Sequence, residues 1–96
     1  MPNNNSHLFL LKLEHDFEVF SLELVRVNEA LAKLDKMDKF HSICNNYAEY
    51  IDHLLHKASY TTGLNLINSY YHELTGDYLS YDPERRVVVV TKSIRR

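Results

Sequence analysis

The sequence predicts a mainly α-helical protein: an antiparallel helical hairpin, a third helix and a short C-terminal β-hairpin. Three observations carry that expectation. Apolar residues recur three and four positions apart through most of the chain, which is helical periodicity. Glycine and proline, the usual punctuation of turns, occur only at Gly63, Gly76, Pro2 and Pro83. Near the C-terminus the period changes: the turn-forming run Asp82-Pro83-Glu84-Arg85 is followed by four consecutive valines, Val87–Val90.

Residues 1–6 form a polar, flexible leader, with Ser6 placed to cap the first helix over residues 7–35. Leu10, Leu13, Phe17, Phe20, Leu24, Val27, Leu31 and Leu34 keep strict 3-4 spacing, the seam of a helix packed lengthwise on another. The β-branched Val19, Val25 and Val27 would also suit a strand. The unbroken seam and the helix formers of Glu29–Lys36 decide for a helix. This helix has a second apolar flank. At about 100° per residue, Leu8, Leu11, Val19, Leu22 and Val25 fall nearly opposite the seam. A chain of this size buries roughly 60–65% of its unfolded surface, enough for one modest core. The second flank therefore predicts a second subunit: a homodimer or larger oligomer whose interface holds those five residues together with Val88 and Val90.

Lys36–Lys39 is a polar junction where Asp38 can cap a second helix over residues 39–58, one long bent helix being the alternative. Phe40, Cys44, Tyr47, Ile51, Leu54 and Ala58 form its expected inner stripe, widened by Ile43, Tyr50 and Leu55. Ser59–Thr62 interrupts that pattern, and Thr61 or Thr62 can cap a third helix over residues 62–75. Its inward residues would be Leu64, Ile67, Tyr71 and Leu74, with Gly76 in the left-handed position that ends many helices. Residues 77–92 read as a β-hairpin and residues 93–96 as a basic tail. A two-stranded hairpin is marginal alone in water, so Val87–Val90 must lie on the helices or pair with another hairpin across a dimer. The cations around the valine run act as gatekeepers against aggregation.

Ninety-six residues make one domain. A hydrophobic fraction of 45% and a charged fraction of 25% are those of a folded, water-soluble chain. No apolar run approaches the ~20 residues that span a bilayer, so no membrane partner is expected. The leader lacks a positively charged region, which predicts no signal peptide. The single cysteine, Cys44, excludes an intrachain disulfide and suits a cytoplasmic setting. Net charge is −2. Its distribution is uneven: Arg85, Arg86, Lys92, Arg95 and Arg96 crowd the C-terminus of an otherwise acidic chain.

Glu49, His53 and His56 share one face of the second helix at a spacing that can grip a zinc ion, which makes metal binding one alternative function. A solvated polar face is the more economical reading, and no cofactor is expected. Cys44, on the inner stripe, is too apolar a setting for an activated thiol. Gly63 and Gly76 begin no phosphate-binding loop. The Arg-x4–6-His motif of HEPN ribonucleases is absent, since Arg26 is the only arginine before Arg85 and no histidine follows it at that distance. No catalytic set is assembled. Tyr70, Tyr71, Tyr78 and Tyr81 sit in a tyrosine-rich second half and suit contacts with a protein partner. The basic C-terminal strip would attract phosphates, but the acidic remainder repels a nucleic-acid backbone. The sequence therefore predicts a small non-enzymatic protein–protein interaction module, a regulator, adaptor or inhibitor acting by surface occlusion or bridging on a protein it does not identify. A nucleic-acid-binding regulator is the first alternative. Its size and lack of motifs resemble those of small accessory proteins of phages and mobile elements.

Overall fold

A computed structural model describes residues 4–36 and 46–92, with side chains from residue 7 onward in the first segment. Two long antiparallel helices, α1 (Asn4–Lys36) and α2 (Tyr47–Thr75), are followed by a hairpin of β1 (Tyr78–Asp82) and β2 (Val87–Thr91).

The seam of α1 is as the spacing predicts. Leu13, Phe17, Val27, Leu31 and Leu34 are buried, and Leu10, Phe20 and Leu24 are half-buried. The helix begins at Asn4, so Ser6 lies inside its first turn rather than capping it. Lys33 and Lys36 stand in the last turn, where cations oppose the helix dipole favourably.

From Tyr47 onward the expected second and third helices are one. Ser59–Thr62 does not break the chain, because Thr61 turns its hydroxyl back to donate to the Lys57 carbonyl at 2.7 Å instead of capping a new helix. Gly63 sits at a close approach. A Cβ there would lie 2.9 Å from Phe20 Cε2. Glycine thus lets the helices meet and does not mark a turn.

Continuity also sets the rotation of α2. Leu64, Ile67 and Tyr71 face α1, and stepping back from them by 4 and 3 reaches Tyr60, Lys57, His53 and Tyr50. The stripe expected for residues 47–58 is therefore displaced: Tyr47, Leu54, Leu55 and Ala58 are exposed, while Tyr50 and Ile51 are half-buried. Leu74, expected inward, is exposed as well. Asp38, Phe40, Ile43 and Cys44 lie outside the described residues. Gly76 closes α2 as expected, with φ 81° and its N–H donating to the His72 carbonyl at 2.7 Å.

The hairpin forms as predicted, with Leu79 opposite Val90 and Tyr81 opposite Val88. Its turn is wider than expected. The Arg86 N–H donates to the Asp82 carbonyl at 2.7 Å, and Arg86 adopts φ 57°. Asp82 Oδ1 accepts from the N–H groups of Glu84 and Arg85 at 3.0 and 3.3 Å. Leu79, the most buried residue, joins Leu13, Phe17, Ile67 and Tyr71 where both helices and the hairpin meet, and Tyr81 and Val88 pack against that cluster. Asn68 fixes the arrangement from α2: its Oδ1 accepts from the Leu79 N–H at 2.6 Å and its Nδ2 donates to the Leu79 carbonyl at 2.9 Å. Among the described helices none is long and apolar enough to cross a membrane.

Replacing Asn68 by Ala leaves both Leu79 groups unpaired beside the core and should cost about 2 kcal/mol. The urea midpoint should fall, and the Leu79 amide should lose hydrogen-exchange protection before the helical amides do. At Arg86, glycine removes the strain of a left-handed non-glycine residue, so Arg86→Gly should raise stability by about 0.5–1 kcal/mol in the same assay.

Candidate interaction surfaces

The second apolar flank of α1 divides into two stretches with different cover. Leu22 and Val25 are half-buried and share a surface hollow with Tyr81, Pro83 and Arg86 at the hairpin tip. The hairpin thus shelters, within the chain, two residues that the sequence assigns to a second copy. The other three stand free: Leu8, Leu11 and Val19 are 61%, 49% and 40% exposed. With exposed His15 between Leu11 and Val19, they line one side of α1, because successive spacings of three and four bring each round to the same direction. Of the two hairpin residues grouped with them, Val88 packs on the core while Val90 is exposed.

The four tyrosines separate in the same way. Tyr71 is buried among Leu13, Phe17, Ile67 and Leu79, which makes it a core residue and not a contact for a partner. Tyr81 is half-buried against that cluster. Tyr70 and Tyr78 remain exposed. Tyr70 lies beside Phe9, their ring centroids 6.5 Å apart, and Tyr78 stacks flat on His72 at 4.3 Å with an interplanar angle of 5°. Phe9 and Leu66, which the sequence reading did not single out, and Leu74, which it placed inward, add exposed apolar surface. Leu66, Tyr70 and Leu74 follow at intervals of four, so their shared exposure was legible once the rotation of α2 was known.

Cations bracket β2. Arg85 lies in the loop, 3.8 Å from Asp82, and Lys92 follows the strand, 3.8 Å from Asp77. Arg86 and Lys92 are about 20 Å apart along an extended strand. Arg95 and Arg96 lie outside the described residues.

The trio of the metal alternative, Glu49, His53 and His56, does not converge. His53 Nε2 lies 3.5 Å from Glu49 Oε1, whereas His56 turns to Asp52, with Nδ1 2.9 Å from its carbonyl and 3.4 Å from its carboxylate. His53 also faces α1: it borders a hollow lined by Arg26, Glu29 and Lys33 rather than standing on the solvent side. Among the described residues no group of three metal-ligating side chains lies close enough to hold an ion. Compared with known proteins, the chain matches no family model, no curated sequence and no solved structure.

The core supplies one titration. Burial, then the nearby carboxylates of Glu14 and Asp77, and finally a hydrogen bond to Glu14, push the Tyr71 hydroxyl above its ordinary value of 10.0. Unfolding releases a tyrosine that ionises more easily. The contribution is therefore complete below pH 10 and is lost as pH rises through the folded value. Tyr71→Phe should flatten that part of the alkaline decline in urea midpoint, measured from about pH 8 upward, even if it lowers stability at neutral pH.

Proposed function

We propose that this protein is a non-enzymatic interaction module that associates with itself through the outer face of α1 and works in the cytoplasm as a small regulator, adaptor or inhibitor, by occluding or bridging other proteins. The observation that carries this reading is the exposed stripe of Leu8, Leu11 and Val19 on a helix whose seam and hairpin side are already covered. The stripe is self-complementary. Two copies of α1, antiparallel about a two-fold axis at His15, set Leu11 against Val19 and Lys12 against Glu18, with Leu8 at either end of the contact. Closed symmetry of this kind needs one patch that matches its own inverse. Lys12 is free to be shared, since its present pairing with Asp16 at 3.4 Å is an exposed i, i+4 contact of small worth. Tyr70 and Tyr78 supply aromatic area beside this face and at the base of the hairpin for a further protein partner. Among the described residues the metal reading lacks a third converging ligand, and the described cations Arg85, Arg86 and Lys92 stand at the two ends of a strand instead of in one patch.

Light scattering across a concentration series tests the reading. The wild type should run as a dimer, and Leu11→Asp should give a monomer with unchanged helical circular dichroism. Leu13→Asp, by contrast, should unfold the chain. Lys12→Glu and Glu18→Lys should each weaken the dimer, and the double variant should restore it. A wild type that stays monomeric, or a double swap no better than the single ones, defeats the proposal. Strong retention on heparin that falls steeply with salt would favour the nucleic-acid alternative.

A further inference from the structure

The two edges of the hairpin are finished differently. On β1 the outward N–H and C=O of Leu79 are both taken by Asn68. Leu79 and its partner Val90 are therefore a non-hydrogen-bonded pair of the ladder, and the alternation of an antiparallel sheet makes Tyr81 and Val88 another. It follows that Val88 and Val90 point their N–H and C=O groups away from β1, along the outer edge of β2. Among the described residues no side chain closes that edge as Asn68 closes the other. No proline or bulge interrupts the strand, and Val87, Val89 and Val90 are exposed. An open edge of this composition is a template for one more strand.

The flanking charges choose the occupant. A second β2 laid antiparallel and centred on Val89 would set Arg86 against Lys92 twice, so a further copy of this chain is disfavoured. A segment with acidic residues at both ends of an apolar centre reverses that repulsion. We propose that the outer edge of β2 is a docking site for an extended, β-branched segment of another protein flanked by aspartate or glutamate, bound by strand addition. Backbone groups of Val88 and Val90 hold the segment, its side chains lie beside the valines, and Arg85, Arg86 and Lys92 fix its register and select its charge. This site is separate from the self-association face of α1 and does not rest on it.

The test uses two synthetic peptides, an alternating Val-Thr run flanked by paired glutamates and the same run flanked by paired lysines. They are titrated into the full-length protein by calorimetry and by amide nuclear magnetic resonance. The glutamate peptide should bind at least about tenfold more tightly than the lysine peptide, with a preference that shrinks as salt rises. It should protect the Val88 and Val90 amides from exchange and move resonances of β2. Val90→Pro removes an edge donor without touching the ladder and should abolish binding. If that variant proves unfolded, the triple reversal Arg85→Glu, Arg86→Glu, Lys92→Glu decides instead: it should invert the peptide preference. No binding of either peptide, equal binding of both, or shifts centred on Leu8, Leu11 and Val19 would overturn the proposal. Failure here leaves the dimer measurements above unaffected, and the reverse also holds.

Discussion

Two hydrogen bonds between one side chain and one backbone residue determine how the hairpin meets the helices. A primary amide carries a donor and an acceptor side by side, the same pair that a neighbouring strand would offer. Asn68 thus completes the Leu79 edge of β1 from a helix, at 2.6 and 2.9 Å. The hairpin is held by direction as well as by apolar contact. Leu79 is driven into the cluster of Leu13, Phe17, Ile67 and Tyr71, and the alternation of the strand then turns Tyr81 and Val88 inward too. A hairpin resting on valine contacts alone could slide or shift its register by one residue, which would expose all of these and bury Tyr78 and Ser80.

The same geometry gives α1 its unequal sides. Its seam faces α2. On the flank nearer the hairpin, Ser21 is buried and the Glu14 carboxylate lies close enough to Tyr71 to hold its hydroxyl protonated above the ordinary range. The outer side keeps Leu8, Leu11 and Val19 with no such cover among the described residues.

The helix-rich class, the seam of α1, the helix stop at Gly76 and the hairpin were all legible because each is written locally, in period, in a single αL-tolerant residue or in turn chemistry. The continuity of α2 was not. Ser59–Thr62 carries four residues of modest helix propensity, and a threonine that can cap a helix can also bond back to the preceding turn, as Thr61 does to Lys57. That one misjudged break released the rotation of residues 47–58 from the strong Leu64–Ile67–Tyr71 phase. By apolar content alone the stripe of Tyr47, Leu54 and Ala58 outweighs the observed one, in which Tyr50, His53 and Tyr60 are half-buried. Gly63 points the same way: read as a helix start, it is a packing position against Phe20. The pairing of Asn68 with Leu79 spans eleven residues and has no periodic signature, so no sequence argument reached it.

Lengths explain why the cover of α1 is partial. A helix of 33 residues is about 50 Å long, whereas a five-residue strand extends about 17 Å. One hairpin, anchored by Asn68 near the end of α2, reaches Leu22 and Val25 at its tip and then stops. It runs alongside only a third or so of α1. Leu8 and Leu11 lie in the first turns of that helix, and Val19 lies round its circumference from the side the sheet approaches. The tip already borders Glu29, so lengthening the hairpin would carry it past Glu29 and leave all three where they are. Covering them takes surface from beyond the described residues, and under the self-association proposed above another α1 would supply it through the inverse match of Leu11 with Val19 and of Lys12 with Glu18.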